Sequence, residues 1–164
     1  MNFFRRIPLL AAGLICMGSE LVAVPGDHLI TDERLFEAQT IRCNYPSGAF
    51  ANWEPKSSLK ETDDPTVGIS GSGLPEFLFD SIGEKRARFI ANAGSTDVYV
   101  VRTAQNLTLV EITPLGSVNT TTIFALKEKA PGGKFLSVTS RHNGFMVPLT
   151  SQYYGKCKVL EYHK

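Results

Sequence analysis

The sequence predicts an all-β fold, and three observations favour it. From residue 75 onward, runs rich in β-branched and aromatic residues recur about every 10 residues, with Gly, Pro or Asn between them. Several of these runs alternate apolar with polar residues, as half-buried strands do. No long stretch shows the period of an amphipathic helix. We therefore expect about eight antiparallel strands in consecutive hairpins, forming a small barrel or a sandwich.

Residues 1–23 are predicted to be a signal peptide. An arginine pair precedes the apolar run Ile7–Met17, and the small residue Ala23 ends the segment. The run is too short for a membrane-spanning helix, which needs roughly 20 apolar residues. We expect cleavage after Ala23, with cleavage after Gly18 as the alternative. The mature chain, 24–164, is then a single periplasmic or secreted domain with no transmembrane segment.

The charge balance does not favour partners that bind by electrostatics alone. The full chain has 17 Lys+Arg and 16 Asp+Glu. Removing the signal peptide removes two arginines and one glutamate, so the mature chain has equal numbers of both. A neutral domain gives no reason to expect nucleic acid or an anionic membrane as its partner.

The mature domain begins with two short predicted elements. Residues 31–38 are expected to form one or two helical turns. In residues 40–45, Ile41, Cys43 and Tyr45 alternate with polar residues, which predicts a first strand. After residue 75, the predicted strands centre on 77–79, 87–91, 98–101, 107–112, 118–125, 134–140 and 156–162. The turn residues between them include Asn143-Gly144, a hairpin signal.

The cysteines predict a disulfide. Of the three, only Cys43 and Cys157 remain in the mature chain, on the first and last predicted strands. An even pair in an exported domain is most simply a disulfide. Redox chemistry and metal ligation are the alternatives, but no CxxC motif or nearby histidine cluster supports either. A bond between the first and last strands suits a closed barrel, although a sandwich can also bring terminal strands together.

The segment Pro46–Leu74 is expected to be a long irregular loop, because it is rich in Ser, Gly, Pro and Asp. Loops of this length are usually functional or disordered. It contains the single tryptophan, Trp53. Trp53 either anchors a recognition loop or plugs one end of the barrel, and we favour the plug.

Candidate catalytic residues are few. His142 follows Arg141, and a small hydrolase could use His142 with Ser140, Ser151 or Glu111. However, the sequence has no Gly-x-Ser-x-Gly elbow. We favour the alternative that Arg141 and His142 end a strand and bond polar groups at the rim of the fold.

No metal or cofactor is expected, because the ligand spacings of zinc and calcium sites and a phosphate-binding loop are all missing. The pair Tyr153-Tyr154 lies close to Cys157. These tyrosines either form a binding surface or pack over the disulfide, and we favour the packing role.

Five segments of the second half of the chain are considered together: Ala87–Gly94, Val110–Pro114, Asn119–Ile123, Ser140–His142 and Ser151–Cys157. They resemble a group of small, uncharacterised exported proteins of alphaproteobacteria. The resemblance spans residues 87–157 and implies bacterial export, but it implies no activity and assigns no functional residue. In architecture alone, the chain also resembles the disulfide-bonded, eight-stranded barrels of periplasmic lysozyme inhibitors.

We therefore expect a non-catalytic periplasmic or secreted domain that binds a protein or a small ligand through its rim and the segment 46–74. The alternatives are the hydrolase and a structural envelope protein, which would show a large apolar patch or an edge strand ready to pair. A cavity above about 300 Å³ would favour a small ligand, and a filled core a protein partner. The candidate binding residues are Trp53, Arg141, His142, Tyr153 and Tyr154.

Overall fold

A computed structural model describes residues 32–53, 65–84, 86–91, 94–126, 133–144 and 148–162. The predicted signal peptide, 1–23, lies outside these residues. Within them, a short 3-10 helix at Glu33–Leu35 precedes nine strands. The strands are β1 Ala38–Asn52, β2 Thr66–Ser70, β3 Leu74–Asp80, β4 Ala87–Ala91, β5 Gly94–Arg102, β6 Asn106–Ile112, β7 Val118–Phe124, β8 Lys134–Asn143 and β9 Leu149–Tyr162.

The strands form a closed antiparallel barrel, which confirms the all-β prediction and decides between barrel and sandwich. From β3 to β9, each strand pairs with the next one in the chain. β1 pairs with β3 on one side and with β9 on the other, so eight strands close into a barrel. β2 is an additional strand, paired with the second half of β1.

The prediction of an irregular segment over 46–74 is wrong at both of its ends. Residues 46–52 continue β1, and residues 66–70 form β2, while 54–64 lie outside the described residues. Two of its glycines, Gly48 and Gly68, lie in strands against aromatic rings instead of forming turns. A Cβ on Gly48 would lie 2.4 Å from the Tyr153 ring, and one on Gly68 would lie 2.6 Å from the Phe50 ring.

The disulfide is present where the sequence predicts it. Cys43 and Cys157 are cross-strand partners on β1 and β9, and they are bonded to each other across 114 positions of sequence. Both side chains are fully buried. The bond therefore links β1 to β9, the two strands whose pairing closes the barrel. This pairing is called here the seam.

The end of the barrel at which β1 begins, called here the lower end, is plugged by apolar side chains. Leu35 and Ile82 are both fully buried there. The 3-10 helix that carries Leu35 is held in place because the Asp32 backbone N–H donates to the Ala125 carbonyl oxygen at 3.0 Å. This turn confirms the expectation of a short helical element within 31–38. In the described residues, no helix is both long and apolar enough to cross a membrane.

Candidate binding site at the upper end of the barrel

The opposite end, where β6 and β8 finish, is polar inside. We call it the upper end. Cross-strand pairing aligns Glu111, Asn119, Arg141 and Ser151 across β6, β7, β8 and β9. Directly opposed residues lie on the same face of a sheet. Glu111 is only 8% exposed, so this set, called here the polar row, faces the barrel interior.

Both carboxylate oxygens of Glu111 are engaged by neighbouring side chains. The Thr96 hydroxyl donates to Oε1 at 2.6 Å, and the Asn119 amide nitrogen donates to Oε2 at 2.6 Å. A buried carboxylate is tolerated when hydrogen bonds replace its lost hydration. These two donors therefore fix the position of Glu111 within the polar row.

Arg141 lies against the aromatic part of the interior. Its guanidinium carbon is 5.2 Å from the centroid of the Phe77 ring, a cation–π distance. Phe77 in turn packs on Phe89, with ring centroids 4.9 Å apart. In the described part of the chain, no carboxylate lies within ion-pair distance of Arg141. Among the described residues, the guanidinium of Arg141 is thus stabilised by an aromatic ring and not by a carboxylate.

Two atoms of the polar row have no hydrogen-bond partner among the described residues. They are Nε of Arg141, a donor, and Oδ1 of Asn119, an acceptor, and both are buried. The cavity between these side chains and the phenylalanines has a volume of about 10 Å³. That volume holds about one water molecule, which could satisfy both atoms. This part of the interior is otherwise filled.

A second polar group lies deeper in the barrel, around Tyr45. The Tyr45 hydroxyl is 2.7 Å from Ser137 Oγ, and Ser137 donates to the Thr122 carbonyl oxygen at 2.9 Å. Because a serine hydroxyl has one hydrogen, Tyr45 must donate to Ser137. Burial raises the pKa of Tyr45 to about 12, and side-chain hydrogen bonds with Ser137 and Thr121 partly offset this rise. This tyrosine therefore stays neutral over the physiological pH range.

The structure places the five predicted binding residues in three different environments. Arg141 faces the interior, and so does Tyr153, which packs against the core. His142 and Tyr154 are exposed on the outer face of the same strands. Trp53 lies just beyond β1, where its backbone N–H donates to the Pro148 carbonyl oxygen at 3.2 Å. The five residues therefore do not form one cluster.

Tyr154 does not pack over the buried disulfide, because it is exposed on the outer face. The Tyr154 hydroxyl donates to Gln152 Oε1 at 2.7 Å on the outside. It is Tyr45 whose hydroxyl lies 3.8 Å from Cys157 Sγ. Tyr45 was expected only as a residue of the first strand, although its alternation with Cys43 places both side chains on the same face.

The structure does not assemble the catalytic set that a hydrolase would need. His142 is exposed on the outer face and has no hydrogen bond to Ser140, Ser151 or Glu111. Ser140 Oγ instead accepts from the Gln152 amide at 3.1 Å, and Glu111 lies inside the barrel. Within the described ranges, no group of three or more His, Cys, Asp or Glu residues could hold a metal ion.

From the sequence, Glu111 was expected only as a possible partner of His142, and Asn119 was not expected in a site. Leu107, Leu109 and Glu111 occupy alternate positions of β6, and all three are buried. A strand that places its acid on the same face as two leucines signals an inward-facing charge. That alternation was the available clue to the polar row.

A strip of positive charge lies on the outer face near the seam. Lys158 on β9 is the cross-strand partner of both Arg42 on β1 and Lys134 on β8. Of these three residues, only Arg42 forms an ion pair within the described part of the chain, with Glu76 at 2.6 Å. Like charges directly opposite each other are destabilising. The positive charge of a nearly neutral chain is thus unevenly distributed.

Comparison with known proteins gives no relative from which a role could be transferred. No protein-family model, curated protein or solved structure matches this chain. Its function must be inferred from the geometry of its own residues.

Proposed function

We propose that this domain is a non-catalytic binding module that recognises a protein partner at the upper end of the barrel. The filled interior is the observation that carries the proposal. The cavity beside the polar row has a volume of about 10 Å³. Pockets for small ligands are usually about 300–1,000 Å³. A small ligand therefore has no room at this position, which favours a partner that binds this end of the barrel from outside.

Arg141 is the residue we propose as the anchor for that partner. Arginine and aromatic side chains dominate the energetics of protein interfaces. Arg141 is partly buried against Phe77, while the acid of the polar row, Glu111, is already engaged by Thr96 and Asn119. An acidic side chain of the partner would supply the ion pair that Arg141 lacks in the described chain.

The proposed site of action is the periplasm or the extracellular medium. Disulfides persist in oxidising compartments and are rare in the cytosol. The buried Cys43–Cys157 bond supports this location, together with the predicted signal peptide.

A retention experiment with matched variants tests the proposal. The mature domain, 24–164, is immobilised and exposed to periplasmic extract, as wild type, Arg141→Met and His142→Ala. Met retains much of the side-chain volume but removes the charge. His142 is the control because it neighbours Arg141 in sequence but lies on the outer face.

We expect a protein to be retained by the wild type and by His142→Ala, and to be lost with Arg141→Met. Loss of a central interface arginine costs about 2 kcal/mol or more, which corresponds to a roughly 30-fold weaker affinity. Circular dichroism verifies that each variant is folded. Equal retention by all three forms would refute the role of Arg141. Absence of any specifically retained protein would refute the binding function at this end.

A further inference from the structure

Among the described strands, β2 has one edge without a partner. It is the terminal strand of the sheet order and pairs only with β1. No other described strand bonds to its second edge. A free edge presents unpaired backbone N–H and C=O groups that can bond to another extended chain.

The side chains of β2 make this edge more suited to pairing than a typical exposed edge. Val67 is 72% exposed and Ile69 is 86% exposed, and they lie on the same face of the strand. Gly68, between them, lies on the opposite face against the Phe50 ring. Native edges are usually protected by charged residues, proline or bulges, and residues 66–70 have no charge, no proline and a regular register with β1.

The sequence of β2 is symmetric about its central residue. It reads Thr66-Val67-Gly68-Ile69-Ser70, with a β-branched aliphatic residue on each side of the glycine and a hydroxyl residue at each end. Two such strands placed antiparallel, with Gly68 on a two-fold axis, would oppose Val67 with Ile69 and Thr66 with Ser70. Pairs of β-branched residues and pairs of hydroxyl residues are both favourable across antiparallel strands.

We propose that β2 is a self-association site, at which the β2 edges of two copies of this chain pair about a two-fold axis through Gly68. The same surface of each copy then meets itself, as a two-fold interface requires. A neutral strand meets its copy without like-charge repulsion. The paired edges would join β1 and β2 of both copies into one continuous sheet.

The strength of this association follows from the size of the contact. Each copy contributes a strand of 5 residues. Stable dimers usually bury about 1,200–2,000 Å² in total, and two such short strands bury less than that. We therefore expect a dimer that dissociates on dilution in the micromolar range, with free and paired forms in exchange.

Cysteine cross-linking tests the register of the pairing. The single variants Val67→Cys and Ile69→Cys are prepared separately and then mixed under mild oxidation. The proposed register opposes residue 67 of one copy with residue 69 of the other, at a Cα separation of about 4.5–5.5 Å, which suits a disulfide. Each variant alone would need to bond across a diagonal of about 7–8 Å.

We expect the mixture to yield several-fold more cross-linked dimer than either variant alone. Leu115→Cys, at a position that is 68% exposed on the β6–β7 turn, measures random collision. Equal yields from the mixture, the single variants and Leu115→Cys would overturn the proposal.

Sedimentation measures the association without a cross-link. Wild type and Leu115→Lys are expected to dimerise as the concentration rises, while Ile69→Lys stays monomeric because it places a charge on the edge. Arg141→Met is expected to dimerise like wild type, which separates this site from the proposed partner site. A wild-type chain that is monomeric at every concentration up to about 1 mM, where the binding free energy is about −4 kcal/mol, would overturn the proposal.

Discussion

The hydrogen bonds that connect Tyr45, Ser137 and Thr122 predict how the free energy of unfolding changes when each hydroxyl is removed. Tyr45 is fully buried and donates to Ser137 Oγ at 2.7 Å, and Ser137 donates to the Thr122 carbonyl oxygen at 2.9 Å. The perturbations are Tyr45→Phe, Ser137→Ala and both together. Tyr45→Phe keeps the ring that packs 5.3 Å from Phe77 and removes only the hydroxyl.

The magnitudes follow from which groups lose a partner. Tyr45→Phe removes one neutral hydrogen bond and leaves the bond from Ser137 to Thr122 intact, so we expect a loss of about 1 kcal/mol. Ser137→Ala leaves the buried Tyr45 hydroxyl without its Ser137 acceptor, which costs about 1–3 kcal/mol, and it also removes the side-chain hydrogen bond to the Thr122 carbonyl oxygen, which costs about 1 kcal/mol. We therefore expect Ser137→Ala to cost about 3 kcal/mol.

The double variant separates this account from simple additivity. Removing the Tyr45 hydroxyl in the Ser137→Ala background removes an orphaned group, so the double variant should be about 1 kcal/mol more stable than Ser137→Ala. Urea unfolding of the oxidised protein, followed by Trp53 fluorescence, gives the free energies of unfolding by linear extrapolation. If Tyr45→Phe destabilised both backgrounds equally, the hydroxyl would have another partner and the reasoning would be refuted.

Two further outcomes are expected. Stability should fall by about 1.4 kcal/mol per pH unit between pH 10 and 12, because the unfolded chain loses the Tyr45 proton near pH 10 whereas the folded chain keeps it up to about pH 12. Urea unfolding across this range should show a shallower fall for Tyr45→Phe, and parallel profiles would contradict the assignment. Gly155→Ala should cost about 3 kcal/mol, because its Cβ would lie 2.0 Å from the Asn44 carbonyl oxygen. Gly71→Ala, with no atom within 4 Å of the added Cβ, should change thermal stability by less than about 0.5 kcal/mol, and similar losses in both variants would contradict the close approach at Gly155.

The sequence predicted the strands because alternation is a local property. Cys43 and Tyr45 alternate with polar residues, and both are buried in β1 as that pattern requires. The first-to-last disulfide then favoured closure of the sheet. The extension of β1 beyond residue 45 could not be predicted, because a glycine such as Gly48 is typical of a turn. In the structure Gly48 lies under the ring of Tyr153, and that contact joins residues that are distant in sequence.

The candidate site was predictable only in part for the same reason. Arg141 was recognised as a rim residue from its position at the end of a strand. Its neighbours in the polar row come from other strands, and cross-strand register decides which residues they are. Without that register, neither the pairing of Asn119 with Glu111 nor the contact of Arg141 with Phe77 follows from the chain.

The seam between β1 and β9 has a consequence for how the chain folds. Every other pairing in the barrel joins strands that are near one another in sequence, whereas this one joins residues as distant as Cys43 and Cys157. Closing so long a loop is slow because its entropy must be lost before the contacts form. If the chain emerges from its N-terminus, Cys43 stays an unpaired thiol until the last strand arrives. Once Cys16 has left with the predicted signal peptide, Cys157 is its only possible partner in the chain, so oxidation cannot trap a wrongly connected barrel.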